Sequence, residues 1–381
     1  MKGRMIAGPP VAVGRKRVPR PRVGGSGASA APSIRRAALA AGAASGLAGA
    51  VGALWTVEHR VVVRGVRAAS EADRRAAGLV VPDDVVHRWI ELDDGGVAHA
   101  VERGDGPPVV LLHGVTLAAG VWSQQLADLG DRHRVVAVDL RGHGRSTVGA
   151  DGFTGGIGRL ASDVRQVLHA LDLTGALLVG HSMGGMVALQ LVADAPPEWT
   201  AARIGALALV ATSAGPVVDV VGARTATMLS RALSGGLQAA DRIGLSTAHS
   251  ADIRWWMARA NFGPGADPVQ VAMTEELGAG TPLRTLAGLV GPLAAFDVSR
   301  RLGHLDLPAL VVVGSHDRLT PPRHAQRLAG ALAGAQLVEL PRAGHMLMLE
   351  RPHELSRLLA EAAGMAAAPH QCRSAGGATT S

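Results

Sequence analysis

The sequence predicts an α/β fold, a parallel sheet carrying helices on both faces. Three observations lead there. From about residue 85 onward, short apolar strand candidates alternate with stretches of helical periodicity. The alternation is interrupted once, over 214–297, and then resumes. At its centre the apolar run Ala176 to Val179 leads through Gly180-His181-Ser182-Met183-Gly184 into the helical pattern Met186 to Ala195, so that strand, sharp turn and helix follow one another directly.

In chain order, residues 1–36 are rich in Arg, Pro and Gly without apolar periodicity, and read as a disordered basic segment. Residues 37–57 then run 21 positions without a charge. That length suits a transmembrane or signal-anchor helix, and Gly42 with Gly46 would permit close helix packing in a bilayer. Arg35-Arg36 ahead of the run also fits an export signal that is cleaved, and its Ala and Gly content fits an extension that never enters a membrane. If the run spans, nine Lys/Arg before it against five between Arg60 and Arg75 favour an inside N-terminus. The expectation is therefore a membrane-anchored protein with an exported catalytic domain, the alternatives being a cytoplasmic protein or one secreted after cleavage.

Residues 58–84 read as a linker. Val86 to Leu92 and Val97 to Glu102 flank Asp93-Asp94-Gly95-Gly96, a hairpin signal. Strand Val109 to Leu112 ends in His113-Gly114-Val115, and strand Arg134 to Leu140 ends in Arg141-Gly142-His143-Gly144-Arg145-Ser146. A helix over Ile157 to Leu171, the central strand and strand Ile204 to Ala211 complete the first part of the core, 85–213. The interruption at 214–297 reads as a helical cap, with the local aromatic cluster Trp255, Trp256 and Phe262. Strand Ala309 to Val313, helix Pro322 to Leu332, strand Gln336 to Leu340 and helix Pro352 to Ala363 make up the second part, 298–364, before a disordered tail at 365–381.

Composition narrows the function. The apolar fraction of 48% supports a large core, packed mainly by aliphatic side chains since Tyr is absent. Residues 1–67 hold twelve Lys/Arg and one acid, Glu58, which leaves 26 basic and 30 acidic side chains for 68–381. The net charge of +7 therefore belongs to the N-terminal stretch, and the mildly acidic remainder gives no support to nucleic-acid binding. The single cysteine, Cys372, lies in the tail, which argues against a disulfide framework, a Cys nucleophile and a Cys-based metal site. Cysteine usage does not decide the compartment.

With 50 glycines in the chain, G-x-S-x-G alone is a weak signal. Its company strengthens it. A serine hydroxyl needs a base, and the base an orienting acid, which in this architecture follow in the order Ser, Asp, His. Asp317 lies just past strand Ala309–Val313, and His345 just past strand Gln336–Leu340. Three residues in the required order, each at the carboxyl end of a strand, predict the triad Ser182, Asp317 and His345. The negative charge that builds on the attacked carbonyl oxygen would meet the backbone N–H groups of Met183 and Val115. His113, His143 and His181 have no place in a triad and read as structural, while His316 beside the acid is left open.

Together, His113-Gly114, Asp139-Leu140-Arg141-Gly142-His143-Gly144-Arg145-Ser146, Gly180-His181-Ser182-Met183-Gly184-Gly185, Asp317 and Gly344-His345 resemble the α/β-hydrolase superfamily over residues 85–364. The nearest branches are small esterases and the cofactor-free haloperoxidase-like hydrolases. The resemblance implies a mostly parallel eight-stranded sheet, a Ser-His-Asp triad, and neither cofactor nor metal. Branches with an Asp nucleophile cleave epoxides or haloalkanes, whereas Ser182 points to acyl chemistry. The expected substrate is a small ester with an apolar portion, met by Trp255, Trp256, Met257 and Phe262 of the cap. The same machinery also serves C–C, amide or thioester hydrolysis, acyl transfer and perhydrolysis. An idle triad would leave a ligand-binding protein. Oligomeric state is not legible.

Overall fold

The computed structural model describes residues 71–76, 78–150, 152–153, 156–216, 223–243 and 251–367. All of them belong to the unit Glu58–Ser381. Eight strands form one sheet: β1 (Val86–Glu91), β2 (Val97–Arg103), β3 (Pro108–Leu112), β4 (Arg134–Asp139), β5 (Ala176–His181), β6 (Ile204–Val210), β7 (Ala309–Gly314) and β8 (Gln336–Leu340). Their spatial order is β1-β2-β4-β3-β5-β6-β7-β8. The hairpin β1–β2 and the β2–β4 pair are antiparallel, and every other pair is parallel.

The helices among the described residues are α1 (Glu71–Ala76), α2 (Ser123–Leu129), α3 (Gly156–Ala170), α4 (Met183–Asp194), α5 (Pro197–Arg203), α6 (Ala223–Arg242), α7 (Ala251–Ala260), α8 (Pro268–Ala279), α9 (Leu283–Ala295), α10 (Pro322–Ala331), α11 (Leu347–Glu350) and α12 (Pro352–Ala367). Helices α6 to α9 lie in sequence between β6 and β7, as the break in alternation predicts.

Strand alternation sorts the aliphatic side chains into two cores. Val110, Leu112 and Leu178 face one side and pack with Leu160, Val164 and Val167 of α3 and with Val187 and Leu191 of α4. Val109, Leu111, Leu177 and Val179 face the other and pack with Trp122, with Leu126 of α2, and with Leu355 and Leu359 of α12. Strands buried on both faces read as unbroken apolar runs, which is why β3, β5, β6 and β7 were legible without a polar partner at every second position.

Topology places the site. From β3 the chain passes to β4 on one side, and from β4 it crosses back to β5 on the other side of β3, so the order reverses between β3 and β5. In open α/β sheets the crevice beyond the carboxyl ends of the strands at such a reversal is where ligands bind. His113 leaves β3 there, and Ser182 leaves β5.

Three expectations need correction. The stretch read as a linker carries α1, and Leu79 and Val81 pack against the second core, because two aliphatic side chains there find a partner surface. The final helix continues past Ala363 to Ala367, with Met365 and Ala366 also packed on that core. Placement in a membrane is not carried forward: among the described residues no helix is long and apolar enough to cross one. Residues 37–57 themselves lie outside the described residues, and their Ala and Gly would contribute little to transfer into hydrocarbon. The segments 1–36 and 368–381 lie outside as well.

Candidate active site

Ser182 stands between β5 and α4 with φ 52° and ψ −118°, a backbone conformation that a residue bearing a Cβ rarely adopts. Holding it there costs roughly 1–3 kcal/mol. The surroundings enforce it. A Cβ at Gly184 would come within 2.3 Å of Leu112 O, and one at Gly180 within 2.4 Å of Gly184 O, so both flanking positions require glycine. Ser182 donates its N–H to Val210 O, and its carbonyl accepts the Thr212 hydroxyl (2.7 Å) and the N–H of Met186. Met183 opens α4, where first-turn N–H groups have no acceptor within the helix.

The loops after β7 and β8 are tied to each other. Ser315 N–H donates to Leu340 O (2.9 Å) and His316 N–H to Ala343 O (2.8 Å). This lacing brings Asp317 and His345 together. His345 Nδ1–H donates to Asp317 Oδ2 at 2.8 Å, and both side chains are almost fully buried. Oδ2 also accepts the Thr320 hydroxyl (2.8 Å), while Oδ1 accepts the N–H groups of Leu319 (2.8 Å) and Thr320 (2.9 Å). Burial by itself would raise the Asp317 pKa. The facing imidazole and these donors outweigh burial and hold it below the ordinary carboxylate value, so the acid stays ionised.

The far nitrogen of His345, Nε2, is buried and has no hydrogen-bond partner among the described residues, the Ser182 hydroxyl included. The histidine loop nevertheless abuts the elbow. His181 Nε2–H donates to His345 O (3.0 Å), and the two rings lie 4.8 Å apart.

Gly114 approaches from β3. A Cβ there would lie 3.2 Å from Ser182 Cβ and 2.9 Å from His181 Nδ1, so the backbone leading to Val115 runs beside the serine. His113 shapes this turn, accepting Leu140 N–H at Nε2 (2.9 Å) and donating Nδ1–H to Gly114 O (2.7 Å). Asp139 braces the same region by accepting the N–H of Ala119 (2.6 Å) and of Arg145 (2.9 Å). The stretch Asp139 to Ser146 thus acts as a buttress. His143 is buried with Nδ1–H on Arg141 O (3.0 Å), and exposed His316 shares a contact with the Ser315 hydroxyl rather than with Asp317 or His345.

Of the aromatic set, Trp255 is half-buried and meets Trp256 edge-on, with ring centroids 5.6 Å apart. Trp256 and Met257 lie open to solvent, 46% and 66% exposed, whereas Phe262 is buried under the histidine loop. Sequence reasoning missed Thr212, Thr320 and Glu350. Only Thr320 left a signal, an Asp followed three residues later by a hydroxyl side chain able to cap it.

Three buried neutral imidazoles make the fold acid-sensitive. Burial lowers the pKa of His113 and of His181, the latter strongly, and lowers His143 to about 3. The unfolded chain takes up protons near pH 6.5 while the folded one does not, so stability is complete above that pH. Below it, each group removes about 1 kcal/mol per pH unit until its folded-state pKa is reached. Urea midpoints are expected to drop steeply from pH 6.5 to 5, with a shallower slope in His143→Gln; equal slopes for the two proteins would refute this account.

A family model described as alpha/beta hydrolase fold matches residues 107–352. A Variovorax paradoxus protein named "Putative carbamate hydrolase RutD" is 32% identical over 267 residues, covering 70% of this chain and 94% of its own length. The pimeloyl-acyl-carrier-protein methyl ester esterase of Chromobacterium violaceum is 31% identical over 260 residues, covering 68% and 94%. Among solved structures, a thermophilic esterase from Thermogutta terrifontis superposes with a TM-score of 0.62 at 25% identity, covering 72% of this chain and 97% of that one.

Proposed function

The chain belongs to the alpha/beta hydrolase fold family, and on that premise we propose that it is a serine hydrolase cleaving carboxylic esters through Ser182, His345 and Asp317. The observation that carries the reading is the buried imidazole: His345 gives Nδ1–H to an ionised Asp317, and its Nε2, with no partner among the described residues, is placed to accept a proton. Ser182, the strained residue at the start of α4, is the hydroxyl that would supply it. Catalytic hydrogen bonds of this kind commonly tighten only around substrate.

In this reading Ser182 Oγ attacks the ester carbonyl as His345 Nε2 takes its proton. The oxygen that becomes negative is met by the N–H groups of Met183 and Val115, donors that need no reorganisation during the step. His345 then passes the proton to the departing alcohol, leaving an acyl group on Ser182. Water, deprotonated at the same Nε2, releases the acid and restores the hydroxyl. Asp317 keeps the imidazole in the Nδ1–H tautomer and stabilises the imidazolium of each half-reaction. Trp255, Trp256, Met257 and Phe262 on and just after α7 are proposed to favour an apolar acyl or alcohol part.

A fluorophosphonate probe followed by mass spectrometry tests the nucleophile, with one adduct on Ser182 as the expected result and no adduct on folded protein as the result that ends the reading. An ester series varied on both sides of the carbonyl tests the substrate. It should include a carbamate and a methyl ester, the classes named for the Variovorax and Chromobacterium relatives. Turnover of the carbamate alone would move the proposal to that bond.

A further inference from the structure

The triad leaves one carboxylate near its base unused. Glu350, at the end of α11, accepts the N–H of Gly344 at both oxygens (2.9 Å each) and that of Met346 at Oε1 (3.1 Å). Its Oε2 also accepts the N–H of Gly263 (2.8 Å), a residue of the helical insertion between β6 and β7. The amide between Gly344 and Met346 is held from the same insertion, since His345 N–H donates to Asn261 O at 2.6 Å. All three consecutive amides around the base are therefore engaged, two by Glu350 and one by Asn261.

The two segments touch through backbone. A Cβ at Gly344 would come within 2.4 Å of Gly263 N and 2.5 Å of the Phe262 carbonyl carbon, and one at Gly263 within 2.9 Å of Gly344 N. Such contact leaves no room for a side chain or a water between them, so a displacement of one segment is transmitted to the other.

Building on the proposed triad, we propose that Glu350 is a positioning residue for His345, which staples Asn261–Gly263 of the insertion to the loop carrying the base. Hydrogen bonds to a carboxylate are roughly twice as strong as neutral ones, and a carboxylate has acceptor sites enough for all three donors. An amide in its place presents one acceptor oxygen and an NH2 that would face backbone N–H. The imidazole then loses part of its fixed orientation, and errors of about 1 Å at a reacting group can cost up to about 100-fold in rate.

Glu350→Gln is the test, read as kcat per site titrated with fluorophosphonate, beside the His345 Nδ1–H resonance and amide exchange at 263, 344 and 346. Expected are a fall of about 10- to 100-fold in kcat with KM little changed, a broadened or shifted Nδ1–H signal, and faster exchange at the three amides. Should the variant fold poorly, Gly263→Ala strains the same contact from the insertion side and is expected to give the same kcat loss. The double variant should then lose far less than the product of the two, because both act on one contact. Unchanged kcat per titrated site with an unmoved resonance would make Glu350 a fold-stabilising residue and overturn the inference. Turnover by Ser182→Ala at the wild-type rate would overturn the inference together with the triad beneath it, an outcome no Glu350 variant can mimic.

Discussion

Ser182→Ala is expected to lower kcat on an ester substrate by roughly a million-fold, leaving only the weak residual rate that binding and oxyanion donors supply. The loss is large because His345, Asp317 and the backbone donors have no acyl acceptor to act on once the hydroxyl is gone. Folding should be unaffected. Alanine must adopt the same φ of 52°, and the hydrogen bonds that hold the elbow are made by the backbone of residue 182, not by its side chain. Ser182→Gly sharpens the test. It removes the same hydroxyl but relieves strain of roughly 1–3 kcal/mol, so it should be equally inactive and no less stable than the parent. Stopped assays on thermally matched samples measure the first effect, and urea unfolding the second. A Ser182→Ala protein that still turned over ester within tenfold of wild type would remove Ser182 from the chemistry.

Asp317→Asn should cost on the order of 10,000-fold in kcat at neutral pH. The acid's four donors explain the size. Leu319 N–H and Thr320 N–H both require an oxygen at the Oδ1 position, so the asparagine oxygen is drawn there and its NH2 is turned toward His345 Nδ1 and the Thr320 hydroxyl. Facing a donor, the imidazole places its proton on Nε2, the nitrogen that must be free to act as base. The stabilising charge opposite the imidazolium is lost in the same change. An Nδ1–H resonance that disappears while the fold is retained would accompany the drop in kcat. A loss below tenfold would mean that Asp317 does not orient the base.

Much of this molecule was legible in one dimension. Apolar runs of four to eight residues marked the inner strands of the sheet, and the break at 214–297 marked the insertion. The elbow announced itself because a strained turn needs glycine at fixed offsets from the serine, a constraint written in adjacent residues. The order Ser182, Asp317, His345 could be read because each follows a strand, and parallel strands deliver their carboxyl ends to one edge. Anchoring to a membrane was the weak expectation, since it rested on length and absence of charge in a run poor in strongly apolar side chains.

Residue sequence by itself determined the strands, the turn and the identities of the groups proposed to carry acyl chemistry, because periodicity and turn chemistry depend on near neighbours. Tertiary structure alone decided how those groups are held: Thr212 on the elbow carbonyl, Thr320 on the acid, and Glu350 with Asn261 around the base. Asn261 and Glu350 are far apart along the chain and share no local pattern. The hydrogen bonds from His345 N–H to Asn261 O and from Gly263 N–H to the Glu350 carboxylate form only when the sheet, its helices and the insertion have packed, and no pattern in nearby residues encodes a contact that packing creates.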